Sequence, residues 1–275
     1  MGWVLESRYA LERAQLDKIR VWFDGYVASF YGADETINAN IRLKEDHTRR
    51  TCKEMLYLID ELKLDENQKL ISQTIALLHD IGRFEQFVKY RMYSDAKSVD
   101  HCLLGLEVLE KNRVLDGIDP HEKLLIQKAI EYHGRKELPC DLDDQCLLFS
   151  KMIRDADKLD VFYLVTIYYK QYKEDPVSFK IGLELPDKPE YSEYVFEELM
   201  RERCVDYRKL KTLNDMKLSL LCWIYDVNFT PTLKRIKKRG YLEELLGFLP
   251  NDENIEKVRK KILGYVDFKM KHEGK

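Results

Sequence analysis

Residues 76–87 read ALLHDIGRFEQF. An apolar helical run, Ile75-Ala76-Leu77-Leu78, delivers His79 and Asp80 side by side and then meets Gly82. Burying either polar group without a partner costs roughly 1–3 kcal/mol. A carboxylate beside the carbonyl end of a helix is also electrostatically unfavourable. The pattern therefore demands something that holds both side chains in place.

Around this stretch, helical periodicity dominates. It predicts helices over 11–30, from about 46 to 62, over 66–81 with Gly82 as the residue that ends the helix, and over 99–112, 120–133 and 143–172. Four more follow, near 191–208, 214–228, 230–247 and 251–272. Only 12 glycines and 7 prolines in 275 residues leave little room for tight turns, which favours an all-α chain over an all-β one. Three of those prolines fall in KEDPVSFKIGLELPDKPEY (173–191), which reads as a loop or β-ribbon. The expected organisation is a helical core over 1–175 and, over 176–275, a linker with a helical C-terminal extension packed on it. The apolar LSLLCWIYDV (218–227) supports that packing, because it is too apolar to stand alone.

Charge narrows the function classes. Charged residues make up 35%, but 46 Lys and Arg nearly balance 49 Asp and Glu, a net charge of -3. That disfavours a protein that coats nucleic acid. No apolar run approaches the ~20 residues a membrane span needs, and the N-terminus lacks a signal-peptide core. The six cysteines include no Cys-x-x-Cys pair and read as free thiols of a reducing compartment. The expectation is a cytoplasmic protein without a membrane role.

Four of the six histidines are placed where they need a reason. His47 falls in the first turn of the helix predicted from about 46. His79 ends the third helix. His101 begins a helix with Leu104 and Val108 three and seven residues on, and His133 closes one behind Ala129 and Ile130. IRDADKLDVF (153–162) adds three aspartates. Asp157 is flanked at four residues by Ile153 and Val161, Asp160 by Ala156 and Leu164, and Asp155 by Lys151 and Leu159. Periodicity ranks Asp157 and Asp160 as more inward than Asp155 and does not choose between them. A divalent cation supplies the partner that an adjacent buried His and Asp require. Imidazole with carboxylate suits Mn, Fe, Co, Ni or Zn better than Ca.

The order His47, His79-Asp80, Asp157 resembles the HD-domain superfamily of metal-dependent phosphohydrolases, over about 41–172. ALLHDIG and RDADKLD carry the likeness. The resemblance implies an all-α HD-domain bundle with metal held between helices, and it selects Asp157 among the three aspartates. His101 and His133 match the positions that hold a second metal in dinuclear branches, with Asp80 bridging the two. In a one-metal variant the same two histidines would contact substrate. Three features depart from the branch that opens cyclic dinucleotides. Arg83 follows Gly82, Gly134 stands where a second histidine is expected, and RKELP replaces Gly-Tyr-Pro, so that activity is not expected.

The implied chemistry is hydrolysis of a phosphate ester or anhydride in a small phosphorylated substrate, a nucleotide among the candidates, by metal-activated water. Asp80 would orient the water. Arg83 and Lys158 would neutralise phosphate oxygens, with Lys89, Arg91 and Arg135 as further candidates. The aromatic FEQFVKYRMY could stack a base. Two other readings use the same ligands: a dinuclear-iron HD-fold oxygenase, and a non-enzymatic helical module with a structural metal.

Overall fold

The structure is a computed structural model that describes residues 11–175 and 185–272. Among the described residues every regular element is helical. The N-terminal part of the chain contains α1 (Arg13–Ala28), α2 (Glu35–Leu62), α3 (Glu66–Leu78), α4 (Gly82–Tyr90), α5 (His101–Lys111) and α6 (Pro120–His133), and α7 (Asp144–Glu174) follows. None of the helices described is long and apolar enough to cross a membrane.

Local chemistry sets these boundaries. The α3 start is a capping box, in which Asp65 accepts from the Gln68 amide and Gln68 reaches back to Asp65. Asp100 caps α5 through the amides of Cys102 and Leu103, and Asp119 caps α6 ahead of Pro120. Two boundaries that bear on His47 and the His79-Asp80 stretch differ from the sequence expectation. The second helix starts eleven residues before 46, because Asp34 accepts from the Ile37 amide, so His47 lies in mid-helix rather than in a first turn. Gly82 does not end a helix; it opens α4. A Cβ there would lie 2.2 Å from the His101 carbonyl oxygen and 2.6 Å from the Gly105 amide nitrogen. The missing side chain is what lets α4 and α5 approach.

The chain divides into two compact units, with the boundary inside α7 between Asp157 and Lys158. In the first, α2 lies against α3 and α4, α3 against α1 and α6, and α5 against α4 and α6. Phe23, Ile41, Met55, Leu58, Ile75, Leu78, Phe84 and Phe149 are fully buried there, each contributing roughly 1.5–3 kcal/mol. Phe84 and Phe87 of the aromatic stretch are thus core residues rather than a stacking surface.

The second unit holds α8 (Glu193–Met200), α9 (Leu213–Cys222), α10 (Thr230–Arg239), α11 (Tyr241–Gly247) and α12 (Glu253–His272). Gly240 in the left-handed conformation (φ 69°) separates α10 from α11, where periodicity predicts one helix. Leu218, Leu220, Leu221, Cys222 and Ile224 of the apolar stretch are buried in this unit's own core, beside Leu242, Leu245, Ile262 and the Phe162 and Tyr169 of α7. Of the predicted loop or ribbon, residues 176–184 lie outside the described residues.

Candidate metal centre

The His79-Asp80 doublet sits at a junction of two helices. His79 and Ile81 both keep right-handed helical backbone angles, so the chain scarcely leaves helical geometry between α3 and α4. The Ile81 amide bonds to the Leu78 carbonyl at 3.1 Å and the Arg83 amide to the Asp80 carbonyl at 2.9 Å. Asp80 therefore follows the unfavourable carbonyl end of α3 but also precedes the amide end of α4, where a negative charge is stabilised.

Its two carboxylate oxygens face two different sets of groups. Oδ2 lies 2.7 Å from Lys44 Nζ, 3.3 Å from His47 Nε2 and 3.7 Å from His79 Nε2. Oδ1 lies 3.4 Å from His101 Nε2, 3.7 Å from His133 Nε2 and 3.5 Å from Arg83 Nε. Asp157 completes the first set, with Oδ1 3.2 Å from His47 Nε2. Burial alone would raise the Asp80 carboxyl, but the adjacent Lys44 ammonium outweighs it and the group is held well below the usual carboxylate range.

The other ring nitrogens fix the tautomers. His79 Nδ1–H donates to the Ala76 carbonyl at 2.9 Å and His133 Nδ1–H to the Ile130 carbonyl at 2.7 Å. His101 Nδ1–H donates to Asp95 Oδ2 at 2.6 Å. All three Nε2 atoms are thereby left as lone-pair donors aimed inward. His79 Nε2 is buried and has no hydrogen-bond partner, and burial pushes that imidazole down to about 4, neutral at physiological pH. His101 Nε2 and His133 Nε2 face each other at 3.2 Å. Two lone pairs at that distance repel unless a cation, a proton or a metal, lies between them. The residues thus fit a divalent metal, with two sets of potential donor groups gathered around the one carboxylate of Asp80.

Comparison with protein families agrees with this geometry. Residues 45–161 match the family model of the HD domain. This segment is an HD domain. The family binds divalent metals and groups metal-dependent phosphohydrolases, and all six of His47, His79, Asp80, His101, His133 and Asp157 fall inside the match. No curated protein and no solved structure matches the chain.

A second layer orients the candidate ligands of the HD domain. Asp95 accepts from His101 through Oδ2 and from Arg83 Nη1 (2.7 Å) and Gln86 Nε2 (2.9 Å) through Oδ1. Burial would raise its carboxyl, but the His101 hydrogen bond and the neighbouring charges hold it at about 2, ionised throughout. Gln86 also donates to Ser98 Oγ and the Val99 carbonyl, which pins the 91–100 segment against α4. Arg154, from α7, donates to the carbonyls of Tyr132, His133, Arg135 and Lys136. It satisfies the orphan carbonyls at the end of α6 and so holds His133 in place.

The predicted basic residues are placed less uniformly than the ligands. Arg83 Nη1 is engaged by Gln86, the Tyr93 carbonyl and Asp95, so its geometry is that of a positioning residue. Arg91 pairs with Asp34, Arg135 pairs with Glu131 over the Tyr132 ring, and Lys89 lies over Tyr90. Lys158 belongs to the second unit and pairs there with Asp226 at 2.7 Å. Among the three aspartates, Asp155 and Asp160 are fully buried, whereas the Asp157 side chain keeps 26% exposure, so burial agrees with the periodicity ranking for Asp160 and reverses it for Asp155 and Asp157.

Sequence reasoning missed Lys44, Asp95 and Arg154. Lys44 lies one residue before the family match and three before His47, a spacing that places both on one face of α2. A helix predicted only from about 46 leaves Lys44 outside it, so the spacing assigns it no face.

Proposed function

We propose that the chain is a metal-dependent phosphohydrolase acting on an ester or anhydride of a small phosphorylated molecule. The observation that carries this is the split of Asp80 between two sets of inward-facing imidazole lone pairs. His47, His79, Asp157 and Asp80 Oδ2 would hold one divalent transition metal. His101, His133 and Asp80 Oδ1 would hold a second. Drawn from Mn, Fe, Co, Ni or Zn, such metals supply acidified water and neutralise phosphoryl charge when bound.

The chain's own residues supply orientation. Asp80 and Asp157 would accept hydrogen bonds from the attacking water and orient it. Lys44, with 19% of its side chain exposed beside Asp80, offers an ammonium to a phosphoryl oxygen at the rim of the site. Arg83 fixes the Asp95–His101 pair and assists indirectly.

The test is elemental analysis of protein purified without chelator or added metal, followed by turnover on a panel of phosphate esters and anhydrides, nucleotides first. Two metals per chain with phosphate release under anaerobic conditions supports the reading. Iron with oxygen consumption and no phosphate release sinks it in favour of an oxygenase. Bound metal with no turnover of any phosphate compound makes the site structural.

A further inference from the structure

The second unit carries an exposed cationic surface that the metal centre does not use. Helix α10 holds five basic side chains in ten residues, Lys234, Arg235, Lys237, Lys238 and Arg239, and no acid. Its Thr232, Leu233 and Ile236 are buried, which commits one face to the core. Lys234 and Lys238, one turn apart, stand exposed on the other. No carboxylate pairs with either of them among the described residues.

The end of α12 extends this surface. Lys237 pairs with Asp267, which joins α10 to the last turns of α12. Lys271 stands four residues on from Asp267 and so shares its face. Over residues 230–239 and 267–272, seven Lys and Arg stand against one acid, in a chain whose net charge is -3. That overall balance disfavours wholesale coating of nucleic acid, but it does not remove a local excess.

An exposed aromatic group lies among these cations. Phe268, next to Asp267, is 58% exposed, and its ring stacks on His272 with centroids 4.3 Å apart and planes 25° from parallel. His272 Nδ1–H donates to the Phe268 carbonyl at 2.8 Å, which fixes the ring pair. Ammonium groups for phosphates and a flat ring for a base are the two elements that single-stranded nucleic acid uses. Other polyanions fit less well. The apolar side of α10 is buried, so the helix cannot dip it into an anionic bilayer. A polyanion without bases would leave the Phe268 ring unused.

We propose that the α10–α12 face is a docking surface for single-stranded nucleic acid, bound without sequence preference. Lys234, Lys238 and Lys271 engage phosphates, and Phe268 stacks on a base. The surface lies outside the metal centre, and its assignment does not depend on that reading.

Fluorescence anisotropy of a labelled single-stranded RNA of about 12 nucleotides, and of DNA of the same sequence, tests it on the full chain. Chelator is present so that the metal centre contributes nothing. At about 50 mM salt a dissociation constant on the order of 1–100 μM is expected. Binding should weaken as salt rises, with a logarithmic slope near about -2, from about 0.7 for each of three phosphates. Lys234→Glu with Lys238→Glu should weaken it more than about tenfold and flatten the slope. Phe268→Ala should weaken it roughly 5–150-fold at an unchanged slope, because stacking releases no counterions. Absence of binding at the lower salt overturns the proposal. Binding indifferent to the two lysine changes belongs to another surface and overturns it too. Equal binding of heparin, with no effect of Phe268→Ala, reduces the face to bare charge and overturns the nucleic-acid assignment. Capture by phosphatidylglycerol-containing vesicles without oligonucleotide binding assigns the face to lipid instead. Should the charge reversal not fold, Lys234→Gln with Lys238→Gln carries the same expectation at more than about threefold.

Discussion

Asp95 holds His101 by its outer nitrogen, Oδ2 accepting Nδ1–H at 2.6 Å. The carboxylate fixes the tautomer and aims Nε2 at Asp80. It is itself held by Arg83 and Gln86, so a chain of four side chains links the 91–100 segment to the bridging aspartate.

This arrangement makes Asp95→Asn a sensitive probe. The neutral amide can still accept the hydrogen bond through its oxygen but no longer supplies charge. Metal affinity at the His101 subsite should fall by roughly 10–100-fold, with the His47 subsite unchanged. A metal titration resolving two binding steps checks this, and equal weakening of both steps would refute the assignment of Asp95 to one of them.

Lys44 and a bound metal should compensate for one another. Both neutralise Asp80 Oδ2, which is almost fully buried. In Lys44→Met without metal the carboxylate loses its closest cation, and stability should drop by about 1–3 kcal/mol. Adding metal at a hundredfold excess over its dissociation constant should restore roughly 2.7 kcal/mol. Thermal melts of both proteins with and without chelator read out the coupling. An identical loss in both conditions would mean that Lys44 and metal act independently.

Two glycine-to-alanine changes should move stability in opposite directions. At Gly82 the new methyl meets the backbone of α5, which cannot yield, so a loss of at least ~1–3 kcal/mol is expected, together with weaker metal binding at His101. At Gly25, inside α1, nothing lies within 4 Å of the added carbon. That change should stabilise by roughly 0.5–1 kcal/mol through helix propensity alone. Denaturant unfolding of the pair measures both, and a stable Gly82→Ala would disprove the close approach of α4 and α5.

Thiol labelling should discriminate by burial. Burial pushes the Cys52 thiol up to about 12, so it stays protonated and unreactive as pH rises from about 7 to about 9 in the native protein. Cys140 is exposed and should be the first to react. Peptide mapping after brief alkylation at both pH values tests this; rapid loss of Cys52 at the lower pH would contradict its environment.

The sequence by itself determined the helical class and the six ligand-type residues. Helical periodicity and the scarcity of turn residues are local properties, and the HD motif packs its chemistry into a few short stretches. Tertiary structure alone decided the rest. It showed that Gly82 permits contact between two helices rather than ending one, because the atoms it avoids belong to residues 101 and 105. It turned Arg83 from a candidate phosphate ligand into the anchor of Asp95, and it tied Lys158 to Asp226. It brought Lys44 and Arg154 to the ligands, since which residues meet across helices depends on approach distance and side-chain direction. Neither quantity is written in the spacing along the chain.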